Sequence, residues 1–377
     1  METSIAIGII GCGNISSTYL KAPQLFSNLR VVACADLDLE RARAQAAKFN
    51  IPKACTVDEL LADQEIEIVV NLTVPAVHAE ISLAVLAANK SLYSEKPLAT
   101  NCADGQAILQ AARAKNLHVG CAPDTFLGGG LQTCIKLIND GAIGTPVAAS
   151  AFLLNHGMEH WHPDPMFFYQ PGAGPMFDLG PYYLTALIAM LGPLRRVTGL
   201  SRITFPERIV TSTPNAGMRI PVNTPTHIAG LMEFASGVIG TIITSFDVWH
   251  HHLPFIEIYG TEGSLSVPDP NTFGGPVSLR RAGDGAWQEI PLTHGYTDQS
   301  RGIGLSDMVS AMHEGRAHRA NGEMAYHVLE VIESFLQSSP GDQHITLSSS
   351  CSQPESLAPG KQRTEIPGSA NAEVRLP

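Results

Sequence analysis

The segment "IAIGIIGCGNIS" places Gly11, Gly13 and Ser16 in a GxGxx(G/A) spacing, with serine as the third small residue. Small residues at these positions let a pyrophosphate approach the backbone, and the helix opening behind them offers free N–H groups and partial positive charge. Gly11, Gly13, Asn14 and Ile15 are therefore the candidate phosphate cradle. The next apolar run, "RVVACAD", ends in Asp36, at about the separation where an acid accepts the ribose hydroxyls of a dinucleotide. Asp38 adds a second negative charge that a 2′-phosphate would meet, while Arg41 and Arg43 act the other way; NAD is expected over NADP. "NLTVPAVHAE" brings Thr73 and Pro75 to the same edge, with His78 opening the next helix and having no role beyond a cofactor contact. In "YSEKPLAT", Pro97 biases Lys96 toward an extended conformation, so its ammonium is expected to project into the crevice where a dinucleotide would lie.

These residues need a scaffold that delivers them to one edge. From Ile5 to about Cys121, short apolar runs alternate with helical patterns: the strands "IAIGII", "RVVACAD", "EIEIVVNLT", "SLYSEKP" and "LHVGCA", and the helices "LERARAQAAKF", "HAEISLAVLAAN" and "DGQAILQAARAKN". Such alternation means a parallel sheet wound on both faces, with strand C-termini along one ligand-binding edge. After Pro123 one helix, "LQTCIKLINDGAIG", leads into β-like segments, "VAASAFLL", "THIAGLMEFASGVIGTIITSF", "FIEIYGTEGSLSV" and "PVSLRRAG". A mostly antiparallel sheet with a few helices fits them. "ASGVIG" and "GTEGSL" read as hairpin turns in which glycine accepts positive φ. "GLSDMVSAMHEG" and "EMAYHVLEVIESFLQ" read as helices lying back near the first domain. From about Ser338 the chain is Ser/Pro-rich, and "HITLSSS" is its only strand candidate. The expected organisation is therefore 1–123, 124–337 and a C-terminal extension or tail over 338–377.

Bulk properties agree with a two-domain globular chain. It has 377 residues, 44% apolar and 16% charged, and a mean hydropathy near zero. The net charge of −11 and the absence of a long Lys/Arg block weigh against nucleic acid or an anionic membrane as partner. Seven scattered cysteines without a CxxC pair suggest reduced thiols rather than a disulfide frame or zinc site. The start "METSIAIGII" carries no basic segment or cleavage-type site, so a cytoplasmic location is expected.

Taken together, "GIIGCGNIS", Asp36, "NLTVP", "EKP" and "DLGPYY" resemble the glucose–fructose oxidoreductase / inositol dehydrogenase / rhizopine-catabolism (Gfo/Idh/MocA) family of NAD(P)-dependent oxidoreductases, over about residues 4 to 335. The resemblance implies a Rossmann domain followed by an open-faced α/β domain whose sheet often forms a dimer interface, so a homodimer or homotetramer is expected. It also implies that Lys96 lies at the cofactor and substrate, with Glu95 positioning it. In such proteins a D-x-G-x-H motif in the second domain supplies further catalytic groups. Here it reads Asp178-Leu179-Gly180-Pro181-Tyr182, a departure that resembles the tyrosine-bearing branch of the family.

The chemistry suits these residue types. Oxidising a secondary alcohol removes a hydride, which a nicotinamide accepts, and a proton, which needs a base within hydrogen-bond reach. A free tyrosine is a weak base at neutral pH, and a nearby ammonium lowers its pKa. Tyr182 is then the acid/base, Lys96 its electrostatic partner, stabiliser of alkoxide and candidate proton relay, and Asp178 the positioner that holds a substrate hydroxyl or orients Lys96. Pro181 suits the first turn of a helix and Gly192 its end. Tyr183 is a neighbouring substrate-contact candidate, and Asp124 and Thr125, in "PDTFLGGG", are candidates to reach cofactor or substrate.

The histidine-rich stretches "NHGMEHWHPDP" and "DVWHHHLP" admit a metal site, a polar substrate wall or surface loops. The wall is the favoured reading, with Trp161 stacking on a sugar face and His160 as the alternative base; no metal is expected. The function that follows is a dehydrogenase or reductase of a sugar, glycoside or cyclic polyol. The alternatives are a redox-neutral NAD-dependent elimination, epimerisation or glycoside cleavage, a cofactor-binding regulator without chemistry, and a metal hydrolase.

Overall fold

The computed structural model describes residues 4–341 and 343–360. The first domain is a six-stranded, wholly parallel sheet in the order β3-β2-β1-β4-β5-β6. Its strands are β1 (Ile5–Ile10), β2 (Leu29–Ala35), β3 (Lys53–Cys55), β4 (Ile68–Asn71), β5 (Ser91–Ser94) and β6 (Val119–Cys121). The helices between them are α1 (Ser16–Lys21), α2 (Leu39–Phe49), α3 (Val57–Ala62), α4 (His78–Ala87) and α5 (Cys102–Ala114). β1, β4 and β5 are buried on both faces, which is why they read as continuous apolar runs rather than alternations. The strand order reverses between β1 and β4, and a crevice opens at their C-terminal ends. The three-residue β3 carries no periodicity and is not legible in the sequence.

The second domain begins with α6 (Gly129–Asn139) and β7 (Pro146–Leu154), then α7 (Pro175–Asp178), α8 (Gly180–Leu191) and β8 (Leu194–Arg202). A small hairpin, β9 (Glu207–Ile209) and β10 (Arg219–Pro221), precedes β11 (His227–Phe234), β12 (Ile239–Ser245), β13 (Ile256–Gly260), β14 (Gly263–Val267), β15 (Val277–Arg281) and β16 (Gln288–Ile290). With β17 (Ile345–Thr346) these form a nine-stranded sheet, β16-β15-β14-β13-β7-β12-β11-β8-β17, antiparallel except for β7 beside β12. Gly237, in the first expected hairpin turn, has φ +88. In the second turn neither Gly260 nor Gly263 has positive φ; Gly260 is required instead by close approach, since a Cβ there would lie 2.1 Å from the Ile143 carbonyl oxygen.

Helices α9 (Ile303–Glu314) and α10 (Gly322–Gly341) return to the first domain: both touch β6, and α10 also packs on α5 and β8. One apolar core therefore runs through both domains. Over its described part the expected C-terminal extension or tail is packed on the second domain, and the strand candidate in "HITLSSS" forms β17. α10 continues to Gly341, and Ile345 and Thr346 pair with Val197 and Arg196. Beyond them the backbone N–H of Leu357 donates to Gln132 Oε1 (2.7 Å), and Gln353 donates to the Ala189 carbonyl (2.9 Å). Such a composition suggests a tail only while the backbone has no acceptors, and α6 and α8 supply them. Residues 361–377 lie outside the described residues.

Candidate active site

The turn after β1 is shaped for a bulky anion. Gly11 has φ +100, and a Cβ on it would lie 2.6 Å from the Leu72 carbonyl oxygen at the end of β4. Gly13 has nothing within 4 Å of a Cβ position, and Gly13 and Asn14 are exposed beside the half-buried Ile15 at the start of α1. This is the cradle that a pyrophosphate fits: open space over exposed backbone N–H groups. Asp36 follows β2. Its Oδ2 accepts from the Cys12 N–H (2.8 Å) and its Oδ1 from the Asp38 N–H (2.9 Å), which fixes the acid beside the turn. Arg41 reaches both Asp36 (3.3 Å) and Asp38 (3.7 Å), so its charge is already engaged.

Thr73 and Pro75 are half-buried just past β4, with the Thr73 hydroxyl donating to Asn71 Oδ1 (2.7 Å). The expected cofactor contact by His78 is corrected. Its ring is buried, with Nδ1 2.7 Å from the Pro97 carbonyl oxygen and Nε2 2.9 Å from that of Thr73. Both nitrogens are spent holding the loop after β4 to the loop that carries Lys96.

Lys96 follows β5 and Glu95. One Glu95 oxygen accepts from the Lys96 backbone N–H (3.0 Å), the other from the Tyr19 hydroxyl (2.9 Å), fixing the chain where the lysine departs. Lys96 Nζ donates to Asp178 Oδ1 (2.8 Å) and to the Asp178 carbonyl oxygen, and lies 5.3 Å from the centre of the Tyr182 ring. Asp178 is not the cap of the Tyr182 helix but the last residue of the separate turn α7, and Pro181 sits in the first turn of α8. Leu179 joins the two, so one corner of chain delivers both Asp178 and Tyr182.

Burial opposes the charge on Lys96, but the Asp178 carboxylate and Tyr182 outweigh it and hold the ammonium above the usual lysine range. For Tyr182, burial is the largest influence and raises its pKa; Lys96 lowers it, Glu95 raises it and Arg301 lowers it. The net direction is upward. The expected lowering by an ammonium is present but outweighed, because the phenol is almost wholly out of water.

Four other candidates are placed elsewhere. Asp124 is buried, and its Oδ2 accepts from the N–H groups of Gly302 (2.8 Å) and Gly304 (3.0 Å), so it anchors the start of α9 rather than facing a substrate. Tyr183 is buried, its hydroxyl pKa raised by burial and by Asp269. His160 and Trp161 are exposed, and Trp161 meets only the edge of the His162 ring (5.3 Å). Their loop is drawn to the β9–β10 hairpin by a satellite apolar cluster that includes Met158, Tyr169, Ile220 and Phe246. Two acids of these loops are occupied by a buried arginine: Arg208 pairs with Glu159 (2.8 Å) and with Asp247. His156 stacks on Trp249. No group of three or more His, Cys, Asp or Glu side chains is arranged to hold a metal among the described residues. Arg301 was not legible as a site residue, because nothing in its local sequence distinguishes it from a solvated charge.

A tight glycine turn and an acid at the switch point of a parallel sheet, with a lysine and a tyrosine brought together from two domains, fit a dinucleotide-dependent oxidoreductase. Residues 5–122 match the oxidoreductase family with an NAD-binding Rossmann fold, and residues 131–266 match the GFO/IDH/MocA C-terminal domain. The chain belongs to this family. It is 27% identical over 278 residues to the 1,5-anhydro-D-fructose reductase of Ensifer adhaerens, covering 73% of this chain and 80% of that one. It is 23% identical to the levoglucosan dehydrogenase of Pseudarthrobacter phenanthrenivorans, covering 89% and 96%. Its fold is that of an NAD-binding oxidoreductase from Klebsiella pneumoniae, with a TM-score of 0.80, 24% identity and coverage of 91% and 99%.

Proposed function

We propose that this protein moves a hydride between NAD and a hydroxyl-bearing carbon of a sugar, glycoside or cyclic polyol, with Lys96, Asp178 and Tyr182 as its catalytic set. The observation that carries the reading is the 2.8 Å bond from Lys96 Nζ to Asp178 Oδ1, which ties the cofactor edge of one domain to the Tyr182 corner of the other. NAD, when bound, supplies the hydride acceptor. Gly11, Gly13, Asn14 and Ile15 would hold its pyrophosphate and Asp36 a ribose. The Tyr182 hydroxyl, with the Lys96 and Arg301 cations beside its ring, exchanges the proton with the substrate oxygen. Lys96 stabilises negative charge on that oxygen, and Asp178 holds the ammonium in place. Two similar chains are named for anhydrosugars, which makes these the first substrates to try. The test is a panel of sugars, anhydrosugars and polyols followed by NADH absorbance, with NAD and NADP in parallel. Accumulating NADH supports the reading. Turnover with the cofactor left oxidised would favour redox-neutral chemistry, and no turnover on any member would contradict both.

The preference for NAD rests on Asp36 and Asp38 with Arg41 already paired to them. Replacing Asp36 with alanine is expected to raise the KM for NAD about tenfold with kcat little changed, since a ribose contact is made equally in ground and transition states. Steady-state kinetics with both dinucleotides check this.

The sheet of the second domain leaves an apolar outer face: Leu200 on β8 (71% exposed), Leu231 on β11 (49%) and Ile239 on β12 (59%). A patch of this kind favours a second copy of the chain, so we infer a homodimer or a tetramer of such dimers. Light scattering should find an oligomer that the double substitution Leu200→Glu, Leu231→Glu reduces to monomer; a monomeric unaltered chain would contradict it. A reducing, cytoplasmic setting is supported by seven free cysteines. No helix among the described residues is long and apolar enough to cross a membrane.

A further inference from the structure

A second cation reaches the Tyr182 ring. Arg301 lies just before α9, with its guanidinium carbon 6.0 Å from the centre of Tyr182 and 5.8 Å from that of Phe273. Its backbone is fixed from the segment that follows β6. The Asp124 carboxylate grips the N–H groups of Gly302 and Gly304 immediately after it. A Cβ on Gly304 would lie 2.5 Å from the Tyr93 hydroxyl and 2.8 Å from Asp124 Cβ, so no larger residue lets the start of α9 sit so close. The side chain is fixed from the second domain: Nη1 donates to Gln299 Oε1 (2.9 Å) and Nη2 to Asn271 Oδ1 (2.8 Å). Asn271 is itself held by Asp269, whose Oδ1 accepts from its N–H (2.9 Å).

The two cations differ in one respect. Lys96 is in direct contact with a carboxylate, whereas all the hydrogen bonds of Arg301 go to neutral oxygens, and no carboxylate lies within ion-pair distance among the described residues. A half-buried guanidinium held by neutral acceptors keeps its field for whatever else is near, and the nearest group that can become an anion in the site is the Tyr182 phenol. The groups that face this phenol are Lys96 and Glu95 from the loop after β5 and Arg301 from the loop before α9, with Asp178 behind Lys96 and Asp124 behind Arg301.

We propose that Arg301 is a positioning residue for Tyr182: its guanidinium supplies the charge that steadies the phenolate, leaving Lys96 free to serve the substrate oxygen. This rests on the reading of Tyr182 as the acid/base. The division of labour follows from the contacts. An ammonium that gives two N–H groups to Asp178 has one left to point at a substrate, while a guanidinium clamped by Asn271 and Gln299 has no freedom to follow one. Asp124 thereby acquires a part in the site, though it touches no substrate: it sets the backbone from which Arg301 reaches Tyr182.

The test is Arg301→Gln, with Arg301→Lys and Asn271→Ala beside it, read in two ways. One is the pH profile of alcohol oxidation. The other is the ionisation of Tyr182 itself, followed without cofactor as the phenolate band in the ultraviolet spectrum that Tyr182→Phe removes. Removing the cation makes the phenolate harder to form. Arg301→Gln should therefore shift both the acid limb and the phenolate titration upward by about one pH unit, a roughly tenfold lower rate on the acid side, with substrate KM little changed. Arg301→Lys should restore most of the shift, and Asn271→Ala, which only frees the guanidinium, should give part of it. If Arg301→Gln fails to fold, an unshifted titration in Asn271→Ala overturns the proposal. So does an unshifted titration in folded Arg301→Gln while Tyr182→Phe is inactive, and in that case the role of Tyr182 stands. Near-normal turnover by Tyr182→Phe would overturn the role of Tyr182, and with it this one.

Discussion

Lys96→Ala is expected to lower kcat about a thousandfold with little change in the affinity for NAD, the loss that removal of one preorganised stabiliser of an oxyanion brings. The magnitude follows from where the ammonium is held. Its stem is mostly buried and its head is fixed by two oxygens of Asp178, so it pays no reorganisation as charge grows on the substrate oxygen. A thousandfold is about 4 kcal/mol of barrier. Lys96→Arg is not expected to rescue the rate. The guanidinium is larger and planar, and it does not reproduce the compact ammonium that donates to two oxygens of Asp178 at once. Single-turnover kinetics at saturating NAD, with cofactor binding measured separately, distinguish a loss of chemistry from a loss of binding. A residual rate within tenfold of the unaltered chain would remove Lys96 from the mechanism.

Tyr182→Phe is expected to cost a similar factor, about a thousandfold in kcat, and to change the shape of the pH profile as well. The substitution deletes only a hydroxyl beside the Arg301 side chain, so the thermal midpoint should change little. In the unaltered chain burial raises the Tyr182 pKa above that of free tyrosine. The sign of the dependence follows. Alcohol oxidation needs the phenolate and should rise about tenfold per pH unit on the acid side, whereas carbonyl reduction needs the phenol and should fall as pH passes the Tyr182 pKa. Both limbs should flatten in Tyr182→Phe. Tyr183→Phe is the control. That phenol is also buried, but its pKa answers to Asp269 rather than to Lys96, and its loss should leave the rate near normal. The reverse pattern, an active Tyr182→Phe and an inactive Tyr183→Phe, would mean that the acid/base has been misassigned. Because Lys96 and Tyr182 act on one oxygen, the double substitution should cost little more than either single one.

What could be read in the sequence was what is local. The glycine turn, Asp36 and the edge position of Lys96 follow from residues a few positions apart. So do the limits of α8, set by Pro181 and Gly192. Thr56 and Glu59 form a capping box that marks α3, a signal available in the sequence and not used. What could not be read depends on contacts between distant segments. Asp124 has the residue type of a substrate contact, but two amides of the α9 turn, far along the chain, claim its carboxylate. His78 sits where a cofactor contact could be expected, yet two carbonyls from different loops take both ring nitrogens. His160 and Trp161 have the chemistry of a sugar wall, but the satellite cluster around Tyr169 carries their loop to the surface. Arg301 is the converse, an unremarked residue whose position is decided by Asp124 and Asn271. Composition likewise says nothing about the acceptors that hold the C-terminal extension: Arg195 of β8 for Leu347, Glu330 of α10 for Ser348 and Ser349, Ala189 of α8 for Gln353 and Gln132 of α6 for Leu357.

The central claim is that a dinucleotide lies along the C-terminal edge of the first sheet with its reactive ring between Lys96 and Tyr182. The most direct measurement is a crystal structure of the chain with NADH. The account predicts the pyrophosphate over Gly11–Ile15, a ribose on Asp36 and the nicotinamide within van der Waals reach of the Lys96 and Tyr182 side chains. A dinucleotide bound elsewhere, or a nicotinamide turned away from that pair, would contradict it.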